Sequence, residues 1–331
     1  MLPPAFAEKV EDIVPVEQDS KEQVEEQTYV DVSVMSVWAE PNNTRKLDAP
    51  ALSNPVQPWE WTESMTLDDK LWLVGNLDTQ ALYGMEVEVL KEEGDWTKVA
   101  VEGQSTPLHE EGYPGWVPSR QLSESTNFAK MQDRDMASTT ASTAFLYEEK
   151  ELETEIIEVS FNTRLPVVSE QEDKVMVATP SDGNKWMAKE DITVYEDIEA
   201  IPAPSATDLV ETAESFMGLP YLWAGVSGFG FDCSGFTHSI YKAHGITIPR
   251  DSSVQAEQGE HVARSDLQAG DLVFFARNGG TGDVHHVGMY IGNGEMIHSP
   301  NSRSTVEKVV IDESDYANSY HSASRYLPNE S

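Results

Sequence analysis

Apolar and polar positions alternate with period two in short runs between Tyr29 and about Tyr195, the pattern of half-buried strands. Val30-Asp-Val-Ser-Val-Met-Ser-Val37 predicts one such strand. Met85-Glu-Val-Glu-Val-Leu90 alternates again after Gly84. Glu92-Glu-Gly-Asp95 predicts a turn, Trp96–Val101 the returning strand, and Gly115-Trp-Val117 closes the unit. Residues 39–75 interrupt this rhythm. They are rich in proline and then read Thr66-Leu-Asp-Asp-Lys-Leu-Trp-Leu73, which predicts one or two helical turns inserted in a loop. A second unit repeats the theme more weakly. Ile156–Phe161, Arg164–Val168 and Lys174–Ala178 read as strands, Ser181-Asp-Gly183 as a turn, and Lys185–Ala188 as the next strand. Short strands about ten residues apart indicate small barrels, and a single larger β domain is the alternative.

Ile201-Pro-Ala-Pro-Ser-Ala206 reads as a hinge-like linker, and beyond it the period changes. Asp208–Met217 predicts a helix with Leu209, Ala213 and Phe216 on one face, stopped by Gly218 and Pro220. A second helix is predicted from Asp232 to His244, with Phe236, Ile240 and Tyr241 as its apolar stripe and Gly245 as its stop. Strand-like runs follow at Asp271–Phe275, Val287–Ile291 and Glu295–His298. Helices followed by strands predict an α+β domain. The expected division is an acidic tail or residual signal region over 1–28, β units over 29–125 and 126–200, and the α+β domain over 201–331.

The chain has 331 residues, 39% of them apolar, so it can build real cores. Its formal net charge is −36. Such a surface repels phosphate backbones and anionic lipids, so nucleic-acid and membrane-surface partners are not expected. The acid concentrates in residues 31–200, which carry a net −21. Electrostatic clinging to any anionic polymer is thereby disfavoured. No run approaches the roughly 20 apolar residues of a membrane-spanning helix. At the N-terminus Ala5-Phe6-Ala7 has the small-x-small shape of a signal-peptidase site, without the charged and apolar stretch that should precede it. Two readings stand: a secreted or cell-wall-associated protein whose signal is mostly trimmed, and an ordinary cytoplasmic start. A monomer is expected.

Cys233 is the sole cysteine, which excludes internal disulfides and multi-cysteine metal sites. It sits at the first turn of the second predicted helix, with Asp232 placed as N-cap. A helix N-terminus favours thiolate over thiol, and its free N–H groups suit an oxyanion. An inert core cysteine is the alternative, but that would fall in the apolar stripe. A cysteine nucleophile needs a base and the base an orienting group. Seven of the eight histidines lie beyond residue 200. His286 opens one strand, and His298 ends the next across a Gly292-Asn-Gly294 turn, so a hairpin brings the two imidazoles together. His285 points to the opposite strand face. A metal held by His286 and His298 lacks a third ligand, so no metal is expected.

Six ordered segments resemble the NlpC/p60 family of cell-wall cysteine peptidases, which have a papain-like core. They are Gly218-Leu-Pro-Tyr221-Leu-Trp223-Ala-Gly225, Phe231-Asp-Cys-Ser-Gly-Phe236, Pro249-Arg-Asp-Ser-Ser-Val-Gln255, Gly270–Phe275, His286–Gly292 and Met296-Ile-His-Ser299. The family often has Gly-Gly where this chain has Ala224-Gly225. The resemblance implies Cys233 as nucleophile, His286 as base, His298 as third member and Tyr221 as an oxyanion-hole hydroxyl. It implies no cofactor, and as substrate the γ-D-glutamyl–L-diamino acid bond of peptidoglycan stem peptides.

The two β units resemble bacterial SH3-like modules through their late Gly-Trp and Lys-Trp steps. The implied fold is an α+β papain-like peptidase domain preceded by two small all-β SH3-like barrels. The whole chain is similar to a narrower group of this build that cleaves muropeptides with a free N-terminal L-Ala. In that group the first module closes one end of the groove. The similarity implies that Asp78, Tyr113 and Asp251 meet the substrate amine, and that Asp232, Ser234 and Ser252 line the D-Glu subsite. Asp78 stands where the group often has glutamate, one methylene longer. A buried ammonium does require carboxylate and hydroxyl partners. The partners expected are peptidoglycan-derived peptides. Two other functions remain open on the sequence: an N-acetylmuramoyl-L-alanine amidase on the same core, and a non-catalytic wall-binding protein.

Overall fold

The computed structural model describes residues 27–328; the acidic tail up to residue 26 and the Ala5-Phe6-Ala7 site lie outside them. Two seven-stranded antiparallel sheets, built from residues 28–124 and 136–195, precede a six-stranded antiparallel sheet that begins at Glu260. Most expected strands appear within a residue or two of their predicted ends. Val30–Val37 is different. It divides into Thr28–Val30 and Val34–Trp38, separated by a bend. The first piece pairs with Glu86 and Val87, the second with Leu77–Leu82, so the chain turns a barrel corner between them. Val34–Trp38 is buried on both faces, which its alternating pattern did not predict.

The cause is the insertion. Residues 39–75 form three short helices, Ala49–Leu52, Pro58–Ser64 and Leu67–Trp72, where one or two turns were expected. Trp61 from this cap packs on Trp38 with ring centroids 6.3 Å apart. Asp48 is fully buried yet satisfied by the Arg45 guanidinium and the Trp61 indole N–H. Leu77–Leu82 is a strand that the apolar pattern did not reveal, because Asp78, Thr79 and Gln80 interrupt it.

In the last domain the helices Ala206–Glu214 and Cys233–Ala243 pack against the six-stranded sheet. Ser205 and Asp208 form a reciprocal capping box on the first. Asp232 caps the second, its side chain accepting from the Gly235 N–H. Phe236, Ile240 and Tyr241 are completely buried, as the stripe predicts. The barrels are not loosely tethered beads. Trp38, Trp96, Trp116 and Leu77 of the first share a core with Leu222 and Ala224. Phe161 of the second meets Phe216 edge to face at 4.9 Å. Asn162 donates to the Ser239 carbonyl at 2.8 Å. Apolar burial across both seams fixes the order of the domains more firmly than residues 196–205, which lack helix and strand.

Candidate active site

The Cys233 helix begins against backbone. A Cβ at Gly235 would stand 2.0 Å from the Gly225 carbonyl oxygen, so only glycine allows this approach. The segment bringing Gly225 there passes through Ala224 at φ 64°, a conformation glycine adopts more easily. This is the position where the family often has glycine. Cys233 therefore emerges at the first turn, partly open to solvent, with its own N–H free of intrahelical partners. The Val287 backbone lies beside its sulfur. Tyr221, buried and held through its backbone N–H to the Ser304 carbonyl at 3.1 Å, feels the same sulfur.

The predicted hairpin forms. Val284–Gly292 pairs with Glu295–His298. Gly288, two residues beyond His286 on the same face, leaves room for His298: a Cβ there would lie 3.2 Å from His298 Cβ and 2.7 Å from Met296 Sδ. His286 Nε2 is consequently 2.7 Å from His298 Nδ1, and both rings are buried. Tyr316 is stacked on His286 at 4.6 Å and 17°, and Phe275, 4.9 Å from Tyr316, lies at 5.9 Å on the same side. Tyr316 was not anticipated; it lies in an irregular segment with no motif around it.

Ionisation runs against one expectation. The helix terminus was expected to favour a thiolate, but burial, followed by the Asp232 carboxylate, pushes the Cys233 thiol up to about 12. Burial, then the neighbouring His298, holds His286 well below the ordinary imidazole range. Burial brings His298 down to about 4. Burial thus favours the neutral thiol and neutral imidazoles over a thiolate–imidazolium pair.

Asp232 and Ser234 are tied up by Arg250, a residue whose role the sequence did not expose. Its guanidinium donates to both Asp232 oxygens, at 3.1 and 2.6 Å, and to Ser234 Oγ at 2.9 Å. Its Nε donates to Thr79 Oγ1 of the first barrel at 3.0 Å, and its backbone N–H to the Ser105 carbonyl. Gln80 Oε1 accepts from the Val226 N–H and the Ser227 hydroxyl, and the Trp223 indole donates to the Leu77 carbonyl at 2.8 Å. The first barrel is thus keyed into the chain on both sides of Cys233.

That docking assembles a second group. Tyr113 of the first barrel meets Asp251 of the last domain, and Asp78 lies close enough for the Asp251 charge to act on it. The Tyr113 hydroxyl donates to Asp251 Oδ1 at 3.4 Å. Asp251 stands at the start of the helix Ser252–Gln258, yet its side chain caps no backbone N–H. Burial, then Asp251, raises the Asp78 carboxyl to about 6. Asp251 is raised as well, by burial first, with Arg250 opposing. Ser252 occupies the first turn of that helix, beside Asp251. Among the described residues no three His, Cys, Asp or Glu side chains gather as a metal site, and no helix is long and apolar enough to cross a membrane.

Three sequence families match successive parts of the chain: the bacterial dipeptidyl-peptidase SH3 domain over residues 75–122, the YKFC SH3b2 domain over 139–195, and the NlpC/P60 family over 218–325. A γ-D-glutamyl-L-lysine dipeptidyl-peptidase of Bacillus cereus is 49% identical over 311 residues, 93% of each chain. The protein of the same name from Bacillus subtilis is 40% identical, across 86% of this chain and 93% of its own. The crystal structure of an NlpC/P60 family protein from B. cereus superposes with a TM-score of 0.88, covering 91% of this chain and all of that one. Similarity of that depth through all three domains means that this chain belongs to the NlpC/P60 family of cysteine peptidases.

Proposed function

We propose that this peptidase hydrolyses the γ-D-glutamyl–L-diamino acid bond of peptidoglycan stem peptides that carry a free N-terminal L-Ala, releasing L-Ala-γ-D-Glu. The observation that carries the reading is the Asp78–Tyr113–Asp251 group. Two carboxylates and a phenol lie there; burial raises both acids, and each also feels a neighbouring carboxylate, Asp251 for Asp78 and Asp232 for Asp251. An ammonium ion is the ligand that relieves such a group, because it neutralises the repulsion and fills the acceptors. A stem peptide still joined to muramic acid has an amide there and no charge to offer. Asp232, Ser234 and Ser252 flank the glutamyl subsite, with Asp232 held in place by Arg250. The names of the B. cereus and B. subtilis relatives support the γ-glutamyl–lysine bond as substrate.

The chemistry follows from the neutral ground state. His286 Nε2 is committed to His298, so Nδ1 is the nitrogen that takes the Cys233 proton as sulfur attacks the γ-carbonyl. The S–C bond forms, and the Cys233 N–H and the Tyr221 hydroxyl donate to the developing oxyanion. His286 returns the proton to the leaving amine. Water then hydrolyses the thioester with His286 as base. Coupling proton transfer to attack suits a thiol raised to about 12, since no free thiolate has to accumulate.

Mass spectrometry of products from L-Ala-γ-D-Glu-L-Lys and its N-acetylated twin tests this, with Cys233→Ala as control. Cleavage of the free-amine peptide alone, lost in Cys233→Ala, is the expected result. Equal cleavage of both would remove the amine pocket from the proposal. Release of the intact stem peptide from muramyl peptides instead would make the protein an amidase.

A further inference from the structure

His298 has two ring nitrogens and only one visible partner. Its Nδ1 meets His286 Nε2 at 2.7 Å. Its Nε2 is buried without a hydrogen bond, in a side chain of zero exposure. The proton inventory makes that orphan informative. If His286 Nδ1 accepts the thiol proton, His286 must carry its own proton on Nε2 and donate it to His298 Nδ1. Neutral His298 then holds its proton on Nε2. A buried N–H donor without an acceptor is unfavourable, and it leaves the opposite tautomer in competition. That opposite tautomer would place a donor on Nδ1 and force the His286 proton onto the nitrogen needed for the thiol.

One acceptor lies within reach. Glu307 begins the strand Glu307–Val310, and the register sets it directly opposite His298. Its Oε1 is 3.8 Å from His298 Nε2. Its other oxygen accepts from the Ser304 hydroxyl at 3.1 Å, which turns the carboxylate toward the ring. The side chain is half exposed, so rotation about its outer bonds closes the remaining gap to hydrogen-bond length.

We propose that Glu307 is a positioning residue that accepts the His298 Nε2 proton, and so fixes the tautomers of both imidazoles in the order the reaction needs. The proton path becomes Cys233 to His286, with His298 and Glu307 behind it. The carboxylate also stabilises the imidazolium formed when His286 takes the thiol proton. This rests on the assignment of His286 as base made above. No bond is made or broken at Glu307, and its proton count does not change.

Glu307→Ala and Glu307→Gln distinguish the roles. Glutamine keeps an acceptor oxygen and loses the charge; alanine loses both. Two readouts are needed: kcat and KM on the free-amine tripeptide, and the His298 tautomer from nitrogen-15 NMR of the imidazole rings. We expect Glu307→Ala to lower kcat about 10- to 100-fold with KM within about twofold, and to lose the single Nε2–H tautomer. Glu307→Gln should keep that tautomer and lose less than about tenfold. A Glu307→Ala enzyme with wild-type kcat overturns the proposal. So does one with low kcat but the His298 tautomer unchanged, because the residue would then act through the strand alone. If alanine impairs folding, Glu307→Gln and Ser304→Ala carry the test. Ser304→Ala frees the carboxylate and should lower kcat by severalfold; a Ser304→Ala rate equal to wild type with Glu307→Gln indistinguishable from wild type also overturns it. Failure of the base assignment is separable: it would appear as activity retained in His286→Ala, whereas the tautomer of His298 is read without turnover.

Discussion

Two groups of acid, one buried and one half-buried, stand near the junction of the first barrel and the last domain, and they are neutralised differently. Asp232 faces Arg250, which grips both its oxygens and reaches on to Thr79. Its charge is matched within the protein. Asp78 feels the Asp251 charge, and Asp251 accepts from a phenol; Lys98 opposes the shift of the first and Arg250 that of the second, but among the described residues neither acid forms an ion pair. Their charge is unmatched. The Asp232–Arg250 pair lies within the last domain, and the docked barrel adds Thr79 to it; the second group exists only because the barrel docks. A buried charge answered by a fixed partner serves architecture. A half-buried charge left unanswered is a standing affinity for a cation that the protein does not supply.

The comparison can be broken most forcefully at Arg250. Arg250→Met leaves Asp232 buried and unpaired, and removes a tie to the barrel. We expect a loss of about 3–5 kcal/mol in urea unfolding, with activity lost as the domain seam loosens. The opposite group should respond in the opposite way. Asp251→Asn keeps the shape and deletes a charge that binds the substrate amine. KM for the free-amine tripeptide should rise about 10- to 100-fold with kcat little changed and stability preserved, as steady-state kinetics and melting curves will show.

Asp78 sharpens the contrast, because function and stability diverge there. Its carboxyl titrates near 6 in the folded chain, above the ordinary 3.8. A raised acid adds stability in acid that is lost as pH rises through the folded value. Asp78→Asn should therefore be more stable than the parent at pH 7, by on the order of 1 kcal/mol after screening. That advantage should vanish below about pH 4, where both side chains are neutral. The smallest effect is in the pH profile. Protonation of Asp78 weakens the amine site, so kcat/KM should fall as pH drops through about 6, and this limb should be missing in Asp78→Asn. His286 does not set that limb, since burial holds it well below the ordinary imidazole range.

The site was unevenly legible. Cys233, His286 and His298 could be placed because each depends on neighbours close in sequence: a capped helix start, and a hairpin with a two-glycine turn. The helices and most strands followed from period alone. Residues 39–75 were not legible, because three short helices folded over one barrel leave no sustained period. Nor was Leu77–Leu82, whose polar residues Thr79 and Gln80 are buried against the peptidase domain rather than exposed. Tyr316 and Glu307 act on the imidazoles from segments that carry no motif. Asp78 and Tyr113 were reached only through resemblance.

The sequence by itself determined which elements form, which cysteine starts a helix and which histidines share a hairpin. These are outcomes of short-range periodicity, capping and turn chemistry. Tertiary structure decided the rest. It set Arg250 against Thr79 across 171 residues and brought Asp251 to Tyr113 across 138. It also raised the thiol, through burial and then the Asp232 carboxylate. Ionisation and charge matching depend on everything packed within a few ångströms, and those neighbours come from all parts of the chain.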